Sequence, residues 1–513
     1  MADRSAMLRR GGALAAAAFA SALGGCSFAP PYARPDPAVP VAYPEAPAAA
    51  PAAPAALDAR APWRQVFGDP RLVPLIETAL ANNRDLQLAA LNIEQTRAQF
   101  GIERAALFPA VDASASALRG QPSSIPGQTV MQSFDVGLGF TAWELDLFGR
   151  LRNLKDAALA RYLASAEARD AVQASLVAAV ANGWLTLLAD DDLLEITRQT
   201  LATREESLRL TQLRFEQGVA SELDLRLARS LAETARATDA QQRRQRRQDE
   251  NALALLLGAP VPPAATEVST PMPATPPAAP PTLEADARAL LSTAELPDIP
   301  PGLPADLLTT RPDIRAAEQR LVAANFDIGA ARAAFFPRIA LTTSVGTTSR
   351  EFSDLFGAGS KAWTLAPFLT LPLFDGGRNR ATLEYSEAAR AAAVADYQKT
   401  VQSAFREVAD ALAGRATLGV QLEALRATAE DEAGRVRLSE MLQRNGVASA
   451  LDVLDAQRSL YGARQATIGA RLALLQNRVL LYRALGGGGA PEPGAVPAAP
   501  IVTGAAEPLP PAR

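Results

Sequence analysis

The sequence predicts a mainly α-helical protein made by tandem duplication, in which each copy joins a β-hairpin to a very long helical hairpin. Three observations predict this fold class. The chain repeats itself at a constant spacing, each copy contains segments in which apolar residues alternate, and a Pro-free tract of helical periodicity follows these segments. The expected architecture is therefore a strand pair beside an antiparallel helix pair, made twice.

The duplication is defined by an offset of 228 residues. The tetrapeptide that begins at Gly218 recurs at Gly446, and 446 − 218 = 228. The same offset aligns the chain without a gap from Asp85 to Gly258. Solenoid repeats are only about 20–50 residues long, so a whole half-protein has been copied. Other matched pairs are Gly101 with Gly329, Phe108 with Phe336, Pro109 with Pro337, Gly149 with Gly377, and Gly258 with Gly486.

Alternation of period two predicts one β-hairpin in each copy, at about 110–145 and about 338–374. In the first copy Phe134, Val136, Leu138, Phe140 and Ala142 share one face. In the second copy Pro367 and Pro372 fall inside the alternating segment. Proline is poorly tolerated in strands, so the boundaries of the second hairpin stay open.

Helical periodicity predicts a first helix from Leu72 to Leu107, which Pro109 ends. Long helical hairpins are predicted at 150–256 and 379–485. The tract from Arg150 to Gln217 lacks Pro and would be about 100 Å long. Each glycine-led tetrapeptide is the predicted bend of a hairpin, with Gly for the turn and Ser as helix N-cap. The seam of the first tract has seven-residue steps at Leu187, Leu194, Leu201, Leu208 and Phe215.

The strand pairs have one apolar face and one small or polar face, which suits a membrane barrel with lipid outside and water inside. One chain supplies only four strands, and an open sheet cannot leave its edges unpaired in lipid, so several subunits would have to close the barrel. A soluble β-layer on a helical domain explains the same alternation. The uncharged segment 171–189 is near membrane-spanning length, but it continues the heptad and is interpreted as a bundle helix.

The N-terminus has the pattern of a bacterial lipoprotein. A leader containing Arg4, Arg9 and Arg10 precedes an apolar run that ends at Cys26. The segment "LGGC" resembles a lipobox, so Cys26 would be lipidated, and Ser27 resembles the following residue of lipoproteins sent to the outer membrane. A buried free thiol is the alternative. The predicted divisions are the signal peptide 1–25, a lipidated Pro-rich linker 26–62, the first repeat 63–258, a Pro-rich inter-repeat and equatorial segment 259–300, the second repeat 301–486, and a tail 487–513.

Composition argues against several classes of function. The chain has no His, one Cys and a net charge of −4. Histidine acid–base chemistry and His/Cys metal sites are thus excluded, and the basic footprint of a nucleic-acid-binding protein is absent. No glycine-rich loop with a phosphate-binding Lys occurs. We therefore expect no cofactor, no nucleic-acid partner and no enzymatic activity.

Four motifs together resemble those of the outer-membrane efflux protein family, and more narrowly its lipoprotein branch that partners resistance-nodulation-division pumps. The motifs are "WRQVFGDPRL…ANNRDL", "WELDLFGRLR", "TRPDIRAAEQRLVAANFDIGAARAAFFPRIALT" and "LPLFDGGRNRA". The resemblance implies a homotrimer with a twelve-stranded transmembrane β-barrel in outer-membrane lipid, continued by a helical tunnel through the periplasm. It implies a passive exit duct for drugs or toxic small molecules, with a periplasmic adaptor protein and an inner-membrane transporter as partners.

The resemblance also assigns site residues. The bends would contact the adaptor, and an acidic constriction would lie beside them at Asp452 and Asp455. Three copies would bring six carboxylates together. Simple turn chemistry explains the bends equally, and two solvated acids near a helix start explain the aspartates. The contact residues of the bends are Gly218, Val219, Ala220 and Ser221, and Gly446, Val447, Ala448 and Ser449.

The sequence departs from the family pattern at two places, and two alternative functions stay open. Gln443 and Ala448 stand where some relatives have a Tyr and an Arg that lock the gate, and Leu227 replaces the second aspartate in the first copy. An outer channel for type I protein secretion would share the predicted fold. A non-conducting lipoprotein that merely spans the periplasm would share the helical rods.

Overall fold

The computed structural model describes residues 27–37, 39–40, 42–43, 61–120, 131–262, 291, 294, 296–297 and 306–488. Cys26, the predicted signal peptide and most of the predicted tail and inter-repeat segment lie outside these residues. The helices are α1 (Trp63–Val66), α2 (Leu72–Asn82), α3 (Arg84–Ala105), α4 (Arg150–Glu216), α5 (Glu222–Leu257), α6 (Leu307–Thr310), α7 (Pro312–Ala333), α8 (Arg378–Arg444) and α9 (Ala450–Ala484). The strands are β1 (Asp112–Gly120), β2 (Met131–Leu145), β3 (Arg338–Ser349) and β4 (Lys361–Thr370).

The predicted duplication is visible in a contact that each copy makes at matched positions. Asn83 Nδ2 donates to the carbonyl of Leu256 at 2.9 Å, which ties the start of α3 to the end of α5. Arg311 Nη1 donates to the carbonyl of Ala484 at 2.8 Å, which ties the start of α7 to the end of α9. The offset is the same, because 83 + 228 = 311 and 256 + 228 = 484. Two different side chains therefore close the two copies in the same way.

The prediction of one helix from Leu72 to Leu107 is wrong in one respect, because the helix is broken at Asn83. This residue is extended (φ −62°, ψ 129°), and its Oδ1 accepts the backbone N–H of Leu86 at 3.0 Å. The side chain therefore caps α3, as Asn commonly does. The periodicity of the apolar residues continues across the break, which is why the sequence pattern did not reveal it.

The four strands form one antiparallel sheet in the order β1-β2-β3-β4, and the β2–β3 ladder joins the two copies. The predicted apolar face ends at Phe140, because a bulge shifts the register between Phe140 and Trp143 and puts Ala142 at φ 53°. Pro367 is accommodated within β4, a strand at the edge of the sheet, where proline is tolerated. Pro372 lies beyond the end of β4.

In the described part of the chain, the two outer strands of this sheet are largely uncovered. Every residue of β1 is exposed, and the residues of β4 are exposed except for Ala362, which is half-buried. Trp363 is 77% exposed, and Leu365 and Phe368 are also exposed. The two outer strands, β1 and β4, each have one paired neighbour among the described residues. A sheet with apolar surface and open edges requires other partners.

The helical hairpins are confirmed, with α4 antiparallel to α5 and α8 antiparallel to α9. Helices α4 and α8 are 67 residues each, or about 100 Å. Along the predicted heptad of α4, Leu187 and Leu194 are buried, whereas Phe215 near the bend is exposed. Helix α4 is the one described helix that is long and apolar enough to cross a membrane.

The main core lies near the middle of the two long helices α4 and α8, which with α5 and α9 form the two helical rods, and helices of both copies meet there. Trp184 of α4, Tyr397 of α8 and Tyr482 of α9 are each buried there. Tyr482 Oη donates to the carbonyl of Ala61 at 2.8 Å, and the ring of Phe67 meets the Tyr482 ring edge-on at 5.6 Å. Burial of Trp184 within segment 171–189 agrees with its interpretation as a bundle helix. The rods continue roughly 50 Å past this core, so both bends project from the body of the protein.

Candidate functional site: the hairpin tips and the constriction beside them

The first tip is a short turn whose geometry requires glycine. Helix α4 ends at Glu216, and Gly218 follows with φ 72°, a backbone conformation that residues with a Cβ rarely adopt. The N–H of Val219 donates to the carbonyl of Arg214 at 2.8 Å, which closes the turn. Ser221 then caps α5, because its Oγ accepts the N–H of Asp224 at 3.1 Å.

The second tip repeats this geometry. Gly446 has φ 76°, and the N–H of Val447 donates to the carbonyl of Leu442 at 2.9 Å. Ser449 has φ −80° and ψ 161°, compared with −80° and 159° for Ser221. The prediction of Gly for the bend and Ser for the N-cap therefore describes both tips.

Each tip presents apolar side chains to solvent. Val219 is 77% exposed and Val447 is 73% exposed, while Leu223 and Leu451 in the first turns of the following helices are exposed as well. The glycines, Ala220 and Ala448 add little bulk around them. Such an apolar surface with little steric bulk can pack closely against another protein.

Asp452 belongs to the cap of α9. Its Oδ2 accepts the N–H of Ser449 at 2.8 Å and the Oγ–H of Ser449 at 2.7 Å. The hydrogen bonds from the Ser449 side chain and backbone hold the pKa of the Asp452 carboxyl below its ordinary value. Asp224 makes the same capping box with Ser221 in the first copy. The carboxylate is thus engaged within its own helix start.

Asp455 faces two arginines, which the sequence analysis did not anticipate. Arg435 of α8 contacts Asp455 Oδ2 at 3.3 Å, and Arg458 of α9 contacts Oδ1 at 3.0 Å. Arg435 Nε also donates to Glu432 at 2.7 Å. Asp455 therefore lies in a chain of alternating charges. The spacing of Arg458, three residues after Asp455, was a local signal, but nothing in the sequence pointed to Arg435.

A second feature missing from the sequence analysis is a polar seam between α4 and α9, made by Thr197, Arg204, Leu454 and Tyr461. Thr197 Oγ1 lies 2.9 Å from Tyr461 Oη, and Arg204 Nη2 donates to the carbonyl of Leu454 at 3.2 Å. Arg204 is 5% exposed, and its Nη1 has no hydrogen-bond partner in the described part of the chain. Burial lowers the pKa of this guanidinium. The seam joins the two helical hairpins directly beside Asp455.

The described residues contain no group of three or more metal-ligating side chains placed to hold a metal ion. Of the two positions that the resemblance compares with a locking Tyr and Arg, Gln443 belongs to α8 and Ala448 to the second tip. Ala448 has no polar side chain that could form such a lock.

The fold, with an open antiparallel sheet on two long helical hairpins, is that of an outer-membrane channel. The chain belongs to the outer membrane efflux protein family, whose model matches residues 75–259 and 303–487. The two matches lie 228 residues apart (303 − 75), as the duplication requires.

Several named proteins are similar over nearly the whole chain. The toluene efflux pump outer membrane protein TtgC of Pseudomonas putida is 44% identical over 480 residues, covering 93% of this chain and 95% of that protein. The outer membrane protein OprJ of Pseudomonas aeruginosa is 44% identical over 470 residues, covering 91% and 94%. The open-state structure of the Neisseria gonorrhoeae MtrE outer membrane channel is 38% identical with a TM-score of 0.78, covering 90% of this chain and 98% of that one.

Proposed function

We propose that this protein is the passive outer-membrane exit duct of a tripartite efflux pump. It resides in the outer membrane and extends into the periplasm, as its relatives do. The single observation that carries the proposal is the uncovered, open-edged sheet at the end of two rods about 100 Å long. Lipid on one face and water on the other would satisfy such a sheet once its edges are closed.

Closure is proposed to come from a homotrimer. Three chains would supply twelve strands, with β4 of one chain pairing with β1 of the next. Helix α3 supports this arrangement, because Leu88, Leu91 and Ile102 leave it with exposed apolar surface. Its counterpart in the second copy, α7, is buried between α4 and α8. A neighbouring subunit's α8 would cover α3 in the same way.

The tips are proposed to bind a periplasmic adaptor protein, which would connect the duct to an inner-membrane resistance-nodulation-division transporter. The exposed Val219 and Val447 support this docking surface. The neighbouring Asp455, with its two arginines, is proposed to form the periplasmic gate. Opening would require α9 to move away from α4, so the seam at Arg204 would break. Asp452 would contribute to the gate by fixing the start of α9.

Drugs or toxic small molecules are the proposed cargo, since relatives are named for toluene and antibiotic efflux. Energy would come from the transporter, and the duct itself would carry out no catalysis. Cys26 is proposed to be lipidated. Residues 63–258 and 301–486 are proposed as the two structural units.

Conductance separates a duct from a structural rod. Purified protein reconstituted in planar bilayers is expected to conduct ions, with longer open times for Arg435→Ala than for wild type. A non-conducting preparation that is trimeric in detergent would contradict the duct.

Deletion of the gene tests the cargo class. The deletion strain is expected to become sensitive to a panel of toxic compounds while protein secretion is unchanged; the reverse result would favour a secretion channel. Complementation with Val219→Asp/Val447→Asp is expected to fail because charge at the tips opposes apolar docking. Leu255→Asp, equally exposed but far from the tips, is the matched control and is expected to complement.

A further inference from the structure

The segment that follows Cys26 is docked mainly along the second copy and also contacts α4 of the first. We call residues 27–37, 39–40 and 42–43 the strap. At one end Ser27 Oγ donates to Asn153 Oδ1 at 2.9 Å, and the ring of Phe28 stacks on Phe336 at 4.6 Å. At the other end Tyr43 is 4% exposed and stacks on Phe405. The predicted extended linker is therefore part of the packed protein in this region.

The centre of the strap is held by a buried carboxylate of α7. Glu318 is 1% exposed. Arg34 donates from Nε at 2.8 Å and from Nη2 at 2.9 Å, and Tyr32 Oη donates at 2.9 Å. Burial, followed by the hydrogen bond to Glu318, raises the pKa of Tyr32, which keeps this phenol a neutral donor. Within the described residues, the hydrogen bonds to Glu318 all come from the strap.

Only the second copy has this receptor. The positions matched to Glu318 and Asn325 in the first copy are Ala90 and Arg97 (318 − 228 = 90, 325 − 228 = 97). Asn325 Nδ2 donates to the carbonyl of Pro30 at 2.6 Å, whereas the matched Arg97 has a larger, charged side chain. The receptor is therefore present on one of two helices that the duplication places at matched positions.

Gly329 shows how closely the strap approaches α7. A Cβ on this residue would lie 2.7 Å from the backbone nitrogen of Ala29 and 2.8 Å from the Asn153 side chain. The matched Gly101 of α3 has open space at the same position. The same residue therefore permits strap contact in one copy and has no such role in the other.

We propose that the strap is a built-in clamp, with Glu318 as its receptor, that completes the packing of α7 between α4 and α8. Glu318 is buried with the strap docked on it, and removal of one partner from a buried ion pair is destabilising, so loss of the strap's donors should weaken the packing of α7. A second role concerns the anchor, because Ser27, the residue after Cys26, is held by Asn153 near the start of α4. That second role rests on the proposed lipidation, whereas the clamp does not.

The first test compares two variants with wild type by thermal unfolding in detergent. Arg34→Ala leaves Glu318 buried with Tyr32 alone, and we expect the Tm to fall by about 5 °C. Adding Glu318→Gln removes the charge, so Arg34→Ala/Glu318→Gln should regain at least half of that loss. An unchanged Tm in Arg34→Ala, or a double variant as unstable as the single one, would overturn the clamp.

The second test measures strap docking itself by hydrogen–deuterium exchange of the peptide spanning residues 27–43. Gly329→Ala is expected to raise exchange several-fold although Ala favours helix, because its Cβ displaces the strap. Gly101→Ala is the matched control and should leave exchange unchanged. Equal exchange in the two variants would refute close docking. Bilayer conductance should be retained in all these variants, so loss of the clamp is distinguishable from failure of the proposed duct.

Discussion

Arg204→Met tests whether the buried guanidinium at the seam between the two helical hairpins stabilises or destabilises their contact. Arg204 is buried, and among the described residues its guanidinium donates one hydrogen bond, to the carbonyl of Leu454 at 3.2 Å. That bond contributes about 1.5–3 kcal/mol because the donor is charged. Removing the guanidinium from water costs several kcal/mol. Met fills similar volume without the charge, so the net change should be a stabilisation of about 1–2 kcal/mol.

The desolvation cost applies only while the seam is closed, since the proposed opening moves α9 away from α4 and exposes Arg204 to water. We therefore expect a higher Tm in detergent together with less frequent opening in planar bilayers. Thr197→Val is the matched control, because its bond to Tyr461 is between neutral groups. It should instead lower stability by about 1 kcal/mol and favour opening. A large fall in the Tm of Arg204→Met would refute the reasoning, since it would mean that the contacts of the buried guanidinium outweigh the cost of removing it from water.

Three further predictions concern the rods. Burial and the neighbouring Asp249 raise the pKa of Asp190 to about 7, above the usual value of about 4, so its contribution to stability is lost as pH rises between these values. The Tm of Asp190→Asn should therefore change less with pH than the Tm of wild type between pH 5 and pH 8, and the variant should gain most over wild type at pH 8. Parallel plots of Tm against pH for the two proteins would contradict this. Ser449→Ala should destabilise the start of α9 by about 1 kcal/mol, seen as faster amide exchange confined to the second tip. Asp455→Asn should weaken the contacts with both arginines and lengthen open times, and unchanged gating would remove Asp455 from the gate.

Local chemistry made much of the architecture predictable. The role of glycine at the two bends was predictable because those turns need positive φ. The role of Ser449 as N-cap was predictable because a serine before a helix satisfies a free N–H. The absence of Pro from the tracts that form α4 and α8 predicted helices that run unbroken for 67 residues. The constant offset of 228 residues foretold equivalent halves. Each of these signals lies within a few residues of the structure it specifies.

The details that position the site depend on residues far apart in the chain. The hydrogen bond from Asn83 to Leu256 and the register shift at Ala142, where β2 meets β3, both join residues that are far apart in the chain. Sequence spacing gives no indication of such partners.

The sequence by itself determined the duplication, the two tips and the strand pairs, because backbone conformation at Gly, Pro and capping residues is set by near neighbours. Only the tertiary structure decided that Asp455 forms an ion pair with Arg435 across its hairpin. The same holds for Glu318, which accepts hydrogen bonds from Arg34, 284 residues away in the chain. Electrostatic compensation depends on distance in space. A carboxylate's partner therefore becomes known only when the chain has brought the two together.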